Sequence, residues 1–72
     1  MLKKAKEKMG LSYSEIGALL GVDKGTAFSW VNDPGRASKE VVIRVAKVLN
    51  VPEDEAVEMW RAIKIERYTN KL

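Results

Sequence analysis

Residues 11 to 32 carry two short apolar stripes with a single break between them. Ile16, Leu19 and Leu20 fall at the i, i+3, i+4 spacing of one helix face, and Ala27, Trp30 and Val31 repeat that spacing beyond Gly21-Val22-Asp23. The spacing therefore predicts two helices whose buried faces share one core. Ser12 caps the first of them and Glu15, three residues on, completes a capping box; Asp23 caps the second through the amides of Gly25 or Thr26. Gly21 supplies the positive φ that a sharp turn after a helix needs, and Val22 plugs the elbow. Gly17 sits in mid-helix where the two helices must approach closely, at a helix-propensity cost of about 1 kcal/mol against alanine.

The rest of the chain is short enough that this pair must anchor it. At 72 residues the expectation is one domain covering 1–72, in a size range that buries only about 60% of its unfolded surface. With no cysteine and no histidine, neither a disulfide nor a thiolate zinc site can add support, which leaves helix packing or a partner subunit. No apolar run approaches the length of a membrane span or a signal peptide, so the expected location is the cytoplasm. Thirteen basic against ten acidic residues give a net charge of +3, compatible with nucleic acid as a partner.

Three further helices follow from the pattern. Over 2–9, Leu2, Ala5 and Met9 form an inner stripe among Lys3, Lys4, Lys6 and Lys8, and Gly10 ends the helix. Asn32-Asp33-Pro34-Gly35-Arg36 is a turn by composition. Ser38 caps a helix over 39–49 with Val42, Val45, Ala46 and Leu49 as its core stripe; Val41, Ile43 and Val48 cannot all share that face. Beyond Pro52 a last helix over 53–68 has Glu53, Asp54 and Glu55 at its positive end and Arg61, Lys64 and Arg67 in its second half, as the helix dipole favours. Ala56, Val57, Trp60 and Ile63 mark its inner face, and Met59, Ile65, Tyr68 and Leu72 are apolar residues left over.

The run Leu11-Ser12, Ile16-Gly17, Leu19-Leu20-Gly21-Val22, Thr26-Ala27 and Trp30, continued by Val45-Ala46-Lys47-Val48-Leu49-Asn50-Val51, resembles the phage repressor and Cro family of helix-turn-helix proteins. The resemblance implies an all-α, five-helix, lambda-repressor-like helix-turn-helix domain with helices at about 2–9, 12–20, 24–32, 39–49 and 53–68. It further implies a sequence-specific regulator that binds double-stranded DNA with helix 24–32 in the major groove. In that pose Lys24, Gly25, Thr26 and Ser29 meet base edges. Lys24 can donate to guanine, Thr26 offers a hydroxyl or its methyl, Ser29 donates or accepts, and Gly25 brings no side chain, which shifts weight to shape and backbone contacts. By the same resemblance Tyr13, Asn32, Gly35 and Arg36 contact phosphates, joined by Lys3 and Lys4 of the first helix. The last helix is expected to pair two copies into a homodimer through Met59, Ile65 and Tyr68. Phe28 falls at the rim of the buried stripe, open to thymine methyls, to a partner, or to folding back on Lys24 or the following loop.

Catalytic chemistry has no foothold. There is no Gly-rich phosphate loop and no nucleophile elbow, and the carboxylates of 53–58 lack a calcium-loop spacing. The expectation is no enzyme, no metal, no cofactor, no small-molecule substrate and no membrane partner. The competing reading is a helix-turn-helix module that binds a polymerase subunit, a repressor or a toxin without reading DNA sequence, motivated by Gly25, by the aromatics Tyr13 and Phe28, and by the extra apolar surface of Ile43, Val48, Ile65 and Leu72.

Overall fold

The computed structural model describes residues 1–71. It contains α1 (Leu2–Met9), α2 (Tyr13–Leu20), α3 (Lys24–Asn32), a 3-10 turn (Pro34–Arg36), α4 (Lys39–Val48) and α5 (Glu53–Asn70), and no strand among the described residues. The expected five helices are present. Ser12 stands outside α2 as its cap, Leu49 caps α4, and α5 runs two residues past the expected end. Leu72 lies outside the described residues.

Local chemistry fixes the ends. The Ser12 hydroxyl accepts from the Glu15 amide at 3.1 Å while the Glu15 carboxylate accepts from the Ser12 amide at 2.8 Å, so the capping box is closed. Asp23 accepts from the Thr26 amide at 2.7 Å, and Ser38 from the Val41 amide at 3.2 Å. Gly21 takes φ 74°, and the Val22 amide then donates to the Gly17 carbonyl at 2.9 Å. Asn50 ends α4 in the left-handed region, φ 57°, and lets the Val51 amide reach back to the Ala46 carbonyl at 2.8 Å.

Two clusters make the interior. Leu2, Ile16, Leu20, Ala27, Val31, Val45 and Leu49 join α1 to α4; Ala37, Val42, Ala46 and Ala56 join α4 to α5. Trp30, Val41, Val51 and Met59 pack against both, so the clusters are continuous. Val41 and Val48 are thereby covered, whereas Ile43 is half-buried and belongs to neither cluster. Leu19 departs from its expected place: it is 63% exposed. The covered face of α2 runs through Ile16, Gly17 and Leu20, and one residue back from Leu20 the side chain turns about 100° away from it. Arg44 of α4 crosses the end of α2, its Nη2 donating to the Leu20 carbonyl at 2.9 Å.

At Gly17 two stretches of backbone meet with no room for a side chain. A Cβ built there would lie 2.6 Å from the Val22 carbonyl oxygen and 3.1 Å from that of Asp23, so α2 meets the elbow backbone to backbone. The far end is tied differently. Trp60 of α5 packs on the second cluster and donates its indole N–H to the Ala37 carbonyl at 2.9 Å.

Candidate nucleic-acid interface

Helix α3 lies on α2 through Ala27 and Val31, which are both buried. Its opposite face then carries Gly25, Ser29 and Asn32 at i, i+4 and i+7. Lys24 and Phe28 flank that line on one side and Thr26 on the other. Of the four expected base-reading residues, Lys24 and Gly25 are exposed and Thr26 and Ser29 are half-buried. Around Gly25 the space is empty: a Cβ there would meet only the Asp23 carboxylate, at 3.7 Å.

The amino end of α3 is an oriented one. The Thr26 hydroxyl and then its backbone amide hold the Asp23 carboxyl below the usual carboxylate range, so the cap stays ionised at neutral pH. Glu15 is likewise held low, by the Ser12 amide first and its hydroxyl second. Both groups are fully exposed and act locally on helix geometry.

At the exit of α3 the side chains form a connected strip. Asn32 Nδ2 donates to the Tyr13 hydroxyl at 3.0 Å and to the Phe28 carbonyl at 2.9 Å. With its hydroxyl oxygen accepting from Asn32, Tyr13 keeps its own hydroxyl hydrogen for an outside acceptor such as a phosphate oxygen. Asn32 therefore positions Tyr13 as much as it offers a contact itself. Phe28, 52% exposed, sets its ring edge-on to Tyr13 at 4.9 Å between centroids, a use outside the three that its sequence position suggested. The Lys6 ammonium lies 4.3 Å from the Tyr13 ring centroid.

The loop continues the strip. Arg36 is exposed and its Nε lies 3.2 Å from Asp33 Oδ2, while Arg67 of α5 donates to the other Asp33 oxygen. Gly35 is buried beneath α5, where a Cβ would collide with Ile63 and come within 2.9 Å of the Arg67 guanidinium. It is a packing residue, out of reach of an outside ligand.

The lysines of α1 divide. Lys6 joins Tyr13; Lys4 and Lys8 line a groove with Leu49, Asn50, Val51, Pro52 and Glu55, away from the strip; Lys3 is exposed. The three expected interface residues of α5 divide too. Met59 is half-buried against both core clusters, whereas Ile65 and Tyr68 are exposed one turn apart.

Lys6 and Arg67 also stand at the strip, outside the residues expected there. Lys6 is one of four lysines in α1, and its place over the Tyr13 ring is what sets it apart. Arg67 had a clearer signal: Ala56, Trp60, Ile63 and Arg67 occupy one stripe at spacings of four, three and four, which aims the guanidinium at the turn that α5 covers.

No helix among the described residues is long and apolar enough to cross a membrane, and those residues hold no cluster of side chains suited to a metal ion. A family model described as Helix-turn-helix matches residues 2–55. Over 62 residues the chain is 32% identical to a protein of Thermococcus gammatolerans provisionally named an HTH-type transcriptional regulatory protein, a match covering 86% of this chain and 20% of that one. Over 72 residues it is 24% identical to a similarly named protein of Methanocaldococcus jannaschii, covering 100% of this chain and 23% of the other. The chain thus spans about a fifth of the length of the curated relatives it matches. No solved structure matches it.

Proposed function

The chain belongs to the Helix-turn-helix family, a family of DNA-binding rather than catalytic proteins, and from that membership we propose that it is a sequence-specific regulator of phage repressor and Cro type, with α3 in the major groove of double-stranded DNA. The observation that carries this reading is the strip at the exit of α3. Lys6, Tyr13 and Asn32, drawn from α1, α2 and α3, are joined through Tyr13, Arg36 follows in the next turn, and beside them α3 bears exposed Lys24 and Gly25 and half-buried Ser29. A row of donors beside a protruding helix suits a duplex, in which phosphates flank the groove that the helix enters. The similarly named archaeal relatives support regulation as the purpose. Such a protein acts where the DNA is, in the cytoplasm.

Sequence choice falls to Lys24, Thr26 and Ser29, with Gly25 allowing close backbone approach. Affinity falls to the phosphate contacts, Tyr13 and Arg36 foremost, with Lys3 and Lys4 at longer range. If about six phosphates are neutralised per dimer, log affinity falls with log salt at a slope of roughly −5. Fluorescence anisotropy with a labelled duplex measures that slope, and a flat salt dependence rejects the reading in favour of a protein-binding module. Leu19 and Phe28, both apolar and open, are the residues such a module would use.

Pairing of two copies through α5 is the second part of the proposal. Ile65 and Tyr68 supply its apolar contact; Met59 serves the core. Light scattering behind size exclusion should give a dimer for the natural chain and a monomer for Ile65→Glu. An unchanged mass removes Ile65 from any interface.

A further inference from the structure

Asp33 interrupts the basic strip with a negative charge. Its two carboxylate oxygens are shared between two guanidiniums, Arg36 through Nε at 3.2 Å and Arg67 through Nη2. Both arginines remain open to solvent, with side-chain exposures of 77% and 45%. Exposed ion pairs of this kind add little to stability, because water screens them and two long side chains lose freedom. Stability is therefore a weak reason for the arrangement. Recognition chemistry offers a better one. Guanidinium forks bind carboxylate and phosphate oxygens by the same geometry, so an anion flanked by two arginines at the edge of a DNA-facing strip marks where a phosphate would sit.

We propose that Asp33 is an affinity-setting residue, an internal carboxylate that occupies Arg36 and Arg67 in the free protein and must be displaced by a DNA phosphate before either arginine counts toward binding. The inference rests on the DNA reading above and adds to it a further basic residue, Arg67, brought from α5 across 34 positions of sequence. Gly35 makes the reach possible, since any side chain at that position would displace the Arg67 guanidinium. Every duplex presents phosphates, so the carboxylate holds down the sequence-independent part of binding. A regulator benefits from that restraint, because bulk DNA competes with its operator at every site.

The test compares four proteins on a fluorescein-labelled duplex of mixed sequence by anisotropy over a salt series: the natural chain, Asp33→Asn, the pair Arg36→Gln with Arg67→Gln, and the triple combination. Asp33→Asn should tighten binding about fivefold to tenfold near 0.1 M salt and steepen the salt slope by roughly one, while the same change in the arginine-less background should give less than about twofold. An equal gain in both backgrounds means a mere loss of surface charge and overturns the proposal, as does no gain or a loss. A natural chain that binds no duplex in a salt-dependent way defeats the DNA reading itself; one that binds and is unaltered by Asp33→Asn defeats only the role of Asp33. Should Asp33→Asn fold poorly, NMR of the natural chain decides. The Arg36 and Arg67 Nε–Hε resonances must shift on saturation with DNA, and stationary resonances overturn the proposal.

Discussion

Gly17→Ala destabilises the protein by about 1–3 kcal/mol, although the same change on a solvent-facing helix would stabilise it by about 1 kcal/mol. The new methyl would lie 2.6 Å from the Val22 carbonyl oxygen and 3.2 Å from the Asp23 carbonyl carbon. Both are backbone atoms, so no rotamer change can make room. Relief requires moving the elbow, which carries the Asp23 cap of α3 and the hydrogen bond from the Val22 amide to Gly17 itself. For a chain of this length the whole stability is roughly 4–11 kcal/mol, so the loss is a large fraction of it. Urea denaturation followed by helical circular dichroism gives the answer in the midpoint at constant slope. A raised midpoint would mean that the elbow opens freely and that the close approach is not needed.

Trp60→Ala should cost more, about 3–5 kcal/mol, as deletion of a large packed aromatic does. Its ring lies against the cluster of Ala37, Val42, Ala46 and Ala56, and its N–H is the partner of the Ala37 carbonyl. Trp60→Phe separates the two contributions: it keeps most of the packing and leaves the Ala37 carbonyl without that donor, for a loss of about 1–2 kcal/mol. Thermal unfolding of the three proteins orders them natural chain, Trp60→Phe, Trp60→Ala. If Trp60→Phe matched the natural chain, the bond to Ala37 would add nothing and residue 60 would hold α5 by packing alone. Loss of this anchor also frees the segment on which Gly35 and Arg67 meet, so DNA affinity should fall with stability in Trp60→Ala.

The motif itself was legible because its signals are local. A capping box spans three residues, a helix stripe four, and an elbow glycine declares itself by what flanks it; Ser12, Glu15, Gly21 and Asp23 all do in space what their neighbours suggest. The dense β-branched run of α4 was equally informative, and Val42, Val45, Ala46 and Leu49 are buried as the stripe requires. Leu19 misled because a spacing of three from Ile16 is satisfied on either flank of that residue, and only the neighbouring helices decide that the flank of Gly17 and Leu20 is the covered one. The site was harder. Tyr13 and Asn32 each stood out alone, but the bond between them joins positions 19 residues apart, and nothing in either neighbourhood encodes it. The Asp33–Arg67 pair spans 34 residues and depends on how α5 folds back over the turn. Met59, expected off the inner stripe, stands three residues after Ala56 and four before Ile63, and α5 turns it toward both clusters while Ile65 and Tyr68 stay outside.

Gly25 gives the molecule an easy route to new targets. A side chain placed there meets only the Asp23 carboxylate at 3.7 Å and points from the open face of α3, and it also relieves the helix of glycine's propensity cost of about 1 kcal/mol. Most changes to a binding surface trade stability for altered recognition; at this position the two move together. Arginine or glutamine at 25 would acquire a hydrogen-bonding fork for guanine or adenine with no repacking behind it. Under the DNA reading proposed above, divergence of target sequence among descendants of this chain should therefore begin at a residue that now carries no side chain.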